Sequence, residues 1–328
     1  MTDATGTAAG REPVSRDERT TLFVVGCPRS GTTWIQLLLS QHPLVATAPE
    51  TQIFAYYLDH FRKQWTWERE GPGGTRYGVA GLNRLLSEEE FDDLCREAAA
   101  FVLEKIAGTN PAGRVVVEKS PRHALQAEWI QRLFPDARFL HVIRDPRDTA
   151  ASLFAAGASW APWAPRNPTG AAVLWRDHVE AARRLAGRDT YLEVQYEAVR
   201  EDPVGRLGDL YRWLALPADR ALCERAVEQC RLARMQEGAP ASQPTPNERP
   251  PTGFFRRGVV GGWAEELSGW RVRAIEDICG SLMDELGYAR AGSKASAPLA
   301  RFRRSLHMGL SRFRGAIHWR LGRLIRRV

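Results

Sequence analysis

Residues 21–34 read TLFVVGCPRSGTTW, and this stretch decides the fold. Residues 21–26 are rich in β-branched and aromatic side chains, which is typical of a buried strand, and from Thr32 the apolar residues recur at helical spacing. A glycine-containing turn therefore joins a strand to a helix. Glycines let such a turn fold around an anion, and the free N–H groups at the start of the helix point at it. The stretch predicts a phosphate-binding loop, although a tight turn without a ligand fits the same residues.

The rest of the chain alternates apolar runs of strand length with amphipathic helical segments. Ser87 and Glu90 form a capping-box pattern, which predicts the start of one helix. In chain order we predict strand 21–26, a helix from residue 32, helix 88–107, strand 114–117, helix 123–133, strand 138–143, helix 147–156, helix 170–186, strand 190–194 and helix 268–286. This alternation predicts an α/β fold in which helices cover both faces of a central parallel sheet.

The positive charge is concentrated at one end of the chain. The 328 residues carry a formal net charge of +7, but residues 299–328 hold nine arginines and no lysine, aspartate or glutamate, so residues 1–298 sum to −2. A nucleic-acid-binding protein needs a basic face on its folded domain. The charge distribution therefore argues against nucleic acid as the partner.

Composition also predicts the domain organisation and the compartment. Residues 1–20 are polar and lack the apolar h-region of a secretory signal, so we expect a disordered N-terminus and a cytoplasmic protein. Residues 21–290 are predicted to form the folded domain, with a proline-rich surface loop at 238–252. Five widely spaced cysteines without a CxxC predict reduced core thiols and no metal site. The abundance of arginine and alanine hints at a GC-rich bacterial source.

The C-terminal segment follows a linker at residues 291–298. Residues 299–328 repeat apolar side chains at spacings of three and four between the arginines, which predicts a basic amphipathic helix. Such a helix can lie on an anionic membrane surface, pack against the domain or bind a second subunit. We expect peripheral membrane association, and the oligomeric state is left open.

The loop departs from the ATP-binding pattern GxxxxGK[ST] at one position. Both glycines and the final hydroxyl are present, but Thr32 stands in the lysine position, and a cation occurs inside the loop at Arg29. An ATP-hydrolysing loop needs that lysine on the β- and γ-phosphates. The departure argues against a P-loop kinase or NTPase, which stays the alternative enzyme.

Residues 27–34, Cys-Pro-Arg-Ser-Gly-Thr-Thr-Trp, resemble the 5′-phosphosulfate loop of sulfotransferases that use 3′-phosphoadenosine 5′-phosphosulfate (PAPS). The resemblance implies a fold like that of P-loop nucleoside kinases, PAPS as the cofactor, adenosine 3′,5′-bisphosphate (PAP) as the product, and no metal. It implies that Arg29 contacts the phosphate and the transferring sulfuryl group. Trp34 would stack near the adenine, although it also fits a core position. The remaining phosphate contacts fall on Ser30, Gly31, Thr32 and Thr33.

A second match concerns the 3′-phosphate. Arg144 ends a predicted strand and Ser152 follows eight residues later, about two helical turns along. The pair resembles the family's Arg and Ser that bind the 3′-phosphate, for which a guanidinium and a hydroxyl are suited. Arg144 also fits an ion pair with Asp145 or Asp148 at the start of a helix.

Two further segments complete the resemblance. Residues 254–263, FFRRGVVGGW, resemble the family's Arg-Lys-Gly-x-x-Gly-Asp-Trp, whose basic residues and glycine close over the 3′-phosphate. The positions that match are Arg256, Arg257 and Gly258. Arg257 stands where the family usually has lysine, and Gly262 stands where it usually has aspartate. Tyr196, in Tyr-Glu-Ala-Val-Arg-Glu-Asp-Pro, resembles the family tyrosine that lies beside the adenine.

Sulfuryl transfer needs cations that neutralise the charge developing on the bridging oxygen. Arg29 and Lys119 are the candidates, and the resemblance implies this role for a lysine at the corresponding strand end. Lys119 follows a predicted strand, so it lies at the carboxyl edge of the sheet, where α/β folds bind ligands. A salt bridge with Glu118 or another carboxylate is the structural alternative.

A base must take the proton of the acceptor hydroxyl. The mammalian cytosolic branch of the family has a histidine two residues after this lysine, where this chain has Pro121. Residues 42–51 instead resemble the tyrosylprotein and many bacterial sulfotransferases, in which a glutamate after the loop helix is the base. This implies Glu50 as the base, with His123 as the second candidate.

The predicted acceptor is a hydroxyl of a small molecule, a lipid or a glycan. Trp65, Trp67, Trp160 and Trp163 fall in stretches of poor periodicity, which favours loops over a substrate pocket, although core packing suits each of them equally. A nucleotide-binding membrane adaptor without catalytic activity is the non-enzymatic alternative.

Overall fold

The computed structural model describes residues 14–15, 18–70, 81–237, 251 and 253–291. Five strands form one sheet in the order β2-β3-β1-β4-β5, and every pairing is parallel. The strands are β1 (Thr20–Gly26), β2 (Val45–Thr47), β3 (Val115–Glu118), β4 (Arg138–Ile143) and β5 (Tyr191–Gln195). The predicted α/β fold with a central parallel sheet is confirmed, and the three-residue strand β2 was not predicted.

Twelve α-helices occur in the described residues. They are α1 (Thr32–Ser40), α2 (Leu58–Glu70), α3 (Glu88–Ala107), α4 (Ala127–Leu133), α5 (Pro146–Gly157), α6 (Pro168–Arg183), α7 (Tyr196–Glu201), α8 (Pro203–Trp213), α9 (Arg220–Gln229), α10 (Leu232–Glu237), α11 (Trp263–Glu266) and α12 (Gly269–Leu286). The helix predicted at 123–133 is split, because a 3₁₀ segment at Pro121–Gln126 precedes α4. A π-helical turn at Ile53–Tyr57 leads into α2.

The central strand β1 is buried on both faces, as a parallel strand under two helical layers must be. Successive side chains point to opposite faces, so Leu22 and Val24 join the core beneath α1, α8 and α9, whereas Phe23 and Val25 join the core beneath α3, α4 and α6. This packing fixes the end of β1, and with it the loop that follows.

The predicted capping box at the start of α3 is present. The Glu90 N–H donates to Ser87 Oγ (3.2 Å), and the Ser87 N–H donates to the Glu90 carboxylate (2.8 Å). The two bonds satisfy N–H groups that a helix start otherwise leaves free.

All five cysteines are buried and free, as predicted. Among the described residues, no helix is long and apolar enough to cross a bilayer, and no group of three or more His, Cys, Asp or Glu side chains is placed to hold a metal ion. Most of the predicted N-terminal segment 1–20, most of the loop 238–252, most of the linker 291–298 and the tail 299–328 lie outside the described residues, although Thr20 already belongs to β1.

Candidate active site

The loop between β1 and α1 contains two glycines at positions where a Cβ atom would clash with neighbouring atoms. A Cβ on Gly26 would lie 2.4 Å from the Val142 carbonyl oxygen, and one on Gly31 would lie 2.4 Å from the Tyr196 ring. Gly31 has φ 95°, and Arg29 has φ 74°, a conformation that few side-chain-bearing residues adopt. The loop therefore turns sharply at the carboxyl edge of the sheet.

The first turn of α1 opens onto a cleft. Gly31 is the N-cap residue of α1 and its helix start has no side-chain cap, so N–H groups of the first turn have no partner within the helix. Gly31, Thr32 and Thr33 line the cleft. Ser30 does not, because its hydroxyl is buried and donates to the Cys27 carbonyl (2.7 Å). This arrangement suits an anion.

Residues predicted from distant segments meet in the same cleft. Arg29, Arg144 and Arg256 come from β1–α1, β4–α5 and the segment before α11, and all three line it. The other predicted residues among its lining are Trp34, Glu50, Ser152, Tyr196, Arg257 and Gly258.

Arg29 lies at the centre of this group. Its Nε donates to Ser152 Oγ (3.2 Å), its Nη2 donates to the Phe254 carbonyl (2.6 Å), and its guanidinium lies 5.3 and 4.9 Å from the centroids of the Trp160 and Phe254 rings, which contact each other. Burial, together with the neighbouring cations Arg144 and Arg256, lowers the pKa of Arg29 to about 10. The crowded positive charge favours a bound anion.

Arg144 lines the cleft and makes no close ion pair with Asp145 or Asp148. Its Nη2 donates to the Val259 carbonyl (2.9 Å) and its guanidinium lies over the Tyr196 ring at 4.7 Å. Asp148 is 3.9 Å away, and this carboxylate instead accepts the N–H groups of Gly261 (2.8 Å) and Trp263 (2.9 Å). Ser152 bonds Arg29 and not Arg144, so the predicted pair shares the cleft without direct contact.

Aromatic and apolar side chains also line the cleft. Trp34 is 8% exposed, its Nε1 donates to the Cys230 carbonyl (3.2 Å), and its ring lies against that of Tyr196. It is therefore both a core residue and part of the lining. Sequence reasoning missed Arg200, whose guanidinium lies 5.0 Å from the Trp34 ring, and Met235 beside it in the cleft. No spacing in the sequence indicated either residue.

Glu50 and Lys119, the predicted base and the predicted cation, are in direct contact. Glu50 Oε1 lies 2.5 Å from Lys119 Nζ, which also donates to Thr33 Oγ1 (3.3 Å). The second Glu50 oxygen accepts from Gln52 Nε2 (2.5 Å). The lysine is nearly fully buried while Glu50 is one-third exposed. The structural alternative for Lys119, a salt bridge with Glu118 or another carboxylate, is therefore present, and its partner is Glu50.

His123 does not reach the cleft. It is fully buried, its Nε2 accepts the Phe54 N–H (3.1 Å), and its Nδ1 lies 2.8 Å from Glu118 Oε2. Burial opposes the charge on Glu118, but His123 and hydrogen bonds from Ser120 and Thr51 lower the pKa of this carboxyl to about 2. The expectation of His123 as second candidate base is corrected, because both of its nitrogens are engaged in the core.

A model of the Sulfotransferase family matches residues 21–220, which include the loop, Glu50, Lys119, Arg144, Ser152 and Tyr196. The chain belongs to the sulfotransferase family. It is 27% identical to protein-tyrosine sulfotransferase 2 of Gallus gallus over 198 residues, 60% of this chain and 51% of the relative. It is 34% identical to a putative protein-tyrosine sulfotransferase of Caenorhabditis briggsae over 132 residues, 40% of this chain and 42% of the relative. The chain thus spans about half the length of these relatives.

Solved sulfotransferases have the same fold as this family member. A mouse sulfotransferase complexed with PAP superposes with a TM-score of 0.53 at 16% identity, covering 90% of each chain. The sulfotransferase domain from the curacin biosynthetic pathway gives 0.52 at 16% identity, covering 80% of this chain and 97% of that domain. The curated relatives named above are animal proteins and give no support to a bacterial source, which stays a prediction.

The four tryptophans predicted near the pocket divide into two pairs. Trp160 and Trp163 line the cleft, together with Tyr56 and Arg122. Trp65 and Trp67 lie on α2, where Trp65 is 6% exposed and stacks on Phe91 with ring centroids 4.3 Å apart. Of the two alternatives stated for Trp65, a pocket loop or the core, the structure shows the core, and Trp67 is exposed on the same helix.

Proposed function

We propose that this protein transfers the sulfuryl group of PAPS to an acceptor hydroxyl. The observation that carries the proposal is the convergence of Arg29, Arg144 and Arg256 on one cleft that also holds the open N-terminus of α1. Several guanidinium groups beside an open helix N-terminus suit a nucleotide with phosphates on the 5′ and 3′ positions of its ribose. The relatives named protein-tyrosine sulfotransferases and the PAP-bound mouse neighbour support this assignment.

Each part of the nucleotide has residues of fitting chemistry. N–H groups of the first turn of α1, with Arg29, suit the 5′ end. Arg144, Arg256 and Arg257 suit the 3′-phosphate. The Trp34 and Tyr196 rings suit the adenine. The bound donor would supply the sulfuryl group to be transferred, and the absence of a metal requirement stays a prediction.

The chain's own groups then handle the proton and the developing charge. Glu50 is one-third exposed at the cleft and accepts the proton of an incoming hydroxyl. Lys119 bridges Glu50 and Thr33, so its charge lies between the base and the phosphate-binding loop. In this position it stabilises the oxygen on which negative charge develops.

The acceptor side of the cleft suits a hydroxyl on a molecule with an aromatic or apolar body. Tyr56 and Trp163 line it and are about half exposed, and the Arg122 guanidinium lies 5.5 Å from the Tyr56 ring. Small molecules, lipids and glycans remain the proposed acceptors, and the protein-tyrosine sulfotransferase relatives add a protein phenol to this set.

The proposed location is the cytoplasm, with residues 299–328 attaching the protein to anionic membranes. The proposal is supported by the nine arginines and the apolar repeat of that segment. Cosedimentation with phosphatidylserine vesicles is expected for the full chain and not for a chain ending at residue 298. Equal binding of both chains would contradict it.

Calorimetry with PAP and with ADP tests the proposed activity. PAP is expected to bind tighter by about tenfold or more, because the 3′-phosphate gains charge-assisted hydrogen bonds that ADP cannot make. Tighter binding of ADP, or a magnesium-dependent ATPase activity, would favour the kinase or NTPase. PAP binding without sulfuryl transfer to any phenol, sterol or sugar acceptor would favour the membrane adaptor.

A further inference from the structure

Glu266, the last residue of α11, bridges two arginines at the edge of the cleft. Its Oε2 lies 2.5 Å from Arg256 Nη1 and its Oε1 lies 3.2 Å from Arg257 Nη1. Glu266 also lines the cleft. The carboxylate is 21% exposed and the Arg256 side chain is 28% exposed, so this ion pair is partly screened from solvent. No resemblance or spacing in the sequence pointed to Glu266.

The two arginines that Glu266 holds are the ones matched to the 3′-phosphate. One oxygen of the carboxylate faces each guanidinium, which is an arrangement that two oxygens of a phosphate also satisfy. Two other cleft arginines differ, because Arg29 and Arg144 donate to the carbonyl oxygens of Phe254 and Val259. Those carbonyls are neutral and do not repel an anion as a carboxylate does.

We propose that Glu266 is an internal competitor of the nucleotide 3′-phosphate. It neutralises the charges of Arg256 and Arg257 in the free protein. The 3′-phosphate displaces it when the phosphate binds the same two guanidinium groups. The carboxylate therefore lowers the affinity for PAP and speeds its release after turnover. This inference rests on the proposed function, because it takes the 3′-phosphate as the anion bound at Arg256 and Arg257.

The neighbouring Glu265 offers a matched control. Its carboxylate contacts Arg257 alone, at 3.3 Å, and its side chain is 74% exposed. An exposed ion pair of this kind contributes little to an interaction energy. Glu265→Gln removes the same charge from the adjacent position without touching Arg256.

The experiment measures PAP and adenosine 5′-monophosphate (AMP) binding by calorimetry to the full chain and to Glu266→Gln and Glu265→Gln. Glu266→Gln is expected to bind PAP about fivefold tighter, since removing a partly buried competitor is worth more than an exposed pair. AMP lacks the 3′-phosphate, so its affinity is expected to change by less than about twofold, and Glu265→Gln by less than about twofold for both ligands. Stopped-flow release of PAP from Glu266→Gln is expected to slow by a similar factor.

Three results would overturn the inference. Weaker or unchanged PAP binding by a folded Glu266→Gln would mean that the carboxylate positions the arginines for the phosphate instead of competing with it. An equal gain for AMP would mean a general change in the charge of the cleft. A wild-type protein that binds PAP no better than AMP would overturn the 3′-phosphate assignment, and this is seen before any variant is compared.

Discussion

At the scale of single residues, Gly31 shows how backbone geometry and a contact combine at the loop. Its φ of 95° disfavours a side chain, and a Cβ there would lie 2.4 Å from the Tyr196 ring. Gly187 has nearly the same φ, 89°, but a Cβ there would meet nothing within 4 Å. Alanine at Gly187 therefore tests backbone strain alone, whereas alanine at Gly31 tests the same strain together with the clash against Tyr196.

Gly187→Ala is expected to lower the free energy of unfolding by about 1 kcal/mol, from backbone strain alone. Gly31→Ala is expected to cost about 2–4 kcal/mol and to weaken PAP binding, because the methyl group displaces Tyr196 from the loop. Urea unfolding and calorimetry check the two effects. Equal destabilisation by both substitutions would show that the contact with Tyr196 does not constrain the loop.

At the scale of elements, helix α5 fastens the segment 253–263 over the cleft. Asp148 on α5 accepts the N–H groups of Gly261 and Trp263, and the Trp263 ring lies 3.9 Å from the Arg147 guanidinium. Burial raises the pKa of Asp148, although Arg144 and these two N–H groups act against the shift. One carboxylate thus positions the segment that carries Arg256.

Asp148→Asn is expected to weaken PAP binding by about tenfold. The asparagine NH₂ group replaces one of the two oxygens that accept the Gly261 and Trp263 N–H groups, and a hydrogen bond to a charged group contributes about 1.5–3 kcal/mol. AMP binding is expected to change much less, since it does not use Arg256. Calorimetry with both ligands checks this, with Asp177→Asn on α6, whose side chain is about half exposed, as the control. An equal loss for PAP and AMP would show that Asp148 supports the whole domain and not this segment.

At the scale of the whole molecule, two buried carboxyls, Glu118 and Glu197, make the free energy of unfolding depend on pH in opposite directions. Glu118 has its pKa lowered to about 2, so its contribution is lost as the pH falls from about 4.5 toward 2. The pKa of Glu197 is raised to about 7, mainly by burial and also by the nearby Asp145 carboxylate. The hydrogen bond from the Asp145 N–H acts in the opposite direction. Glu197 therefore favours the folded state while it is protonated, and this contribution is lost as the pH rises from about 4.5 to 7.

Glu197→Gln removes the cost of ionising a buried carboxyl. A glutamine preserves an acceptor for the Asp145 N–H (2.8 Å) and a partner for the Tyr288 hydroxyl (2.9 Å). The variant is expected to lose less stability than the wild type between pH 5 and 8, by up to about 3 kcal/mol. Denaturant unfolding across this pH range checks the slope. Parallel curves for the two proteins would contradict the raised pKa.

Local sequence determined the elements that have strong short-range signals. The strand-turn-helix of residues 20–40, the capping box of α3 and the strand at 138–143 follow from side-chain pattern and turn chemistry, so they were predicted close to their observed bounds. The strand β2 has three residues, too few for a periodic pattern, and its pairing with β3 is set by tertiary contact. The position of Trp65 was left open for a related reason, since one aromatic residue fits a core or a pocket equally well.

The residue types of the candidate site were also determined by the sequence, through the loop and the segments that resemble one family. Which side chains touch was decided by the tertiary structure alone. Lys119 meets Glu50 across 69 positions of chain, and His123 is held inside the core by Glu118 and Phe54. Sequence spacing carries distance along a helix or a strand, but contacts between strand ends, loops and helices depend on how the sheet brings them together.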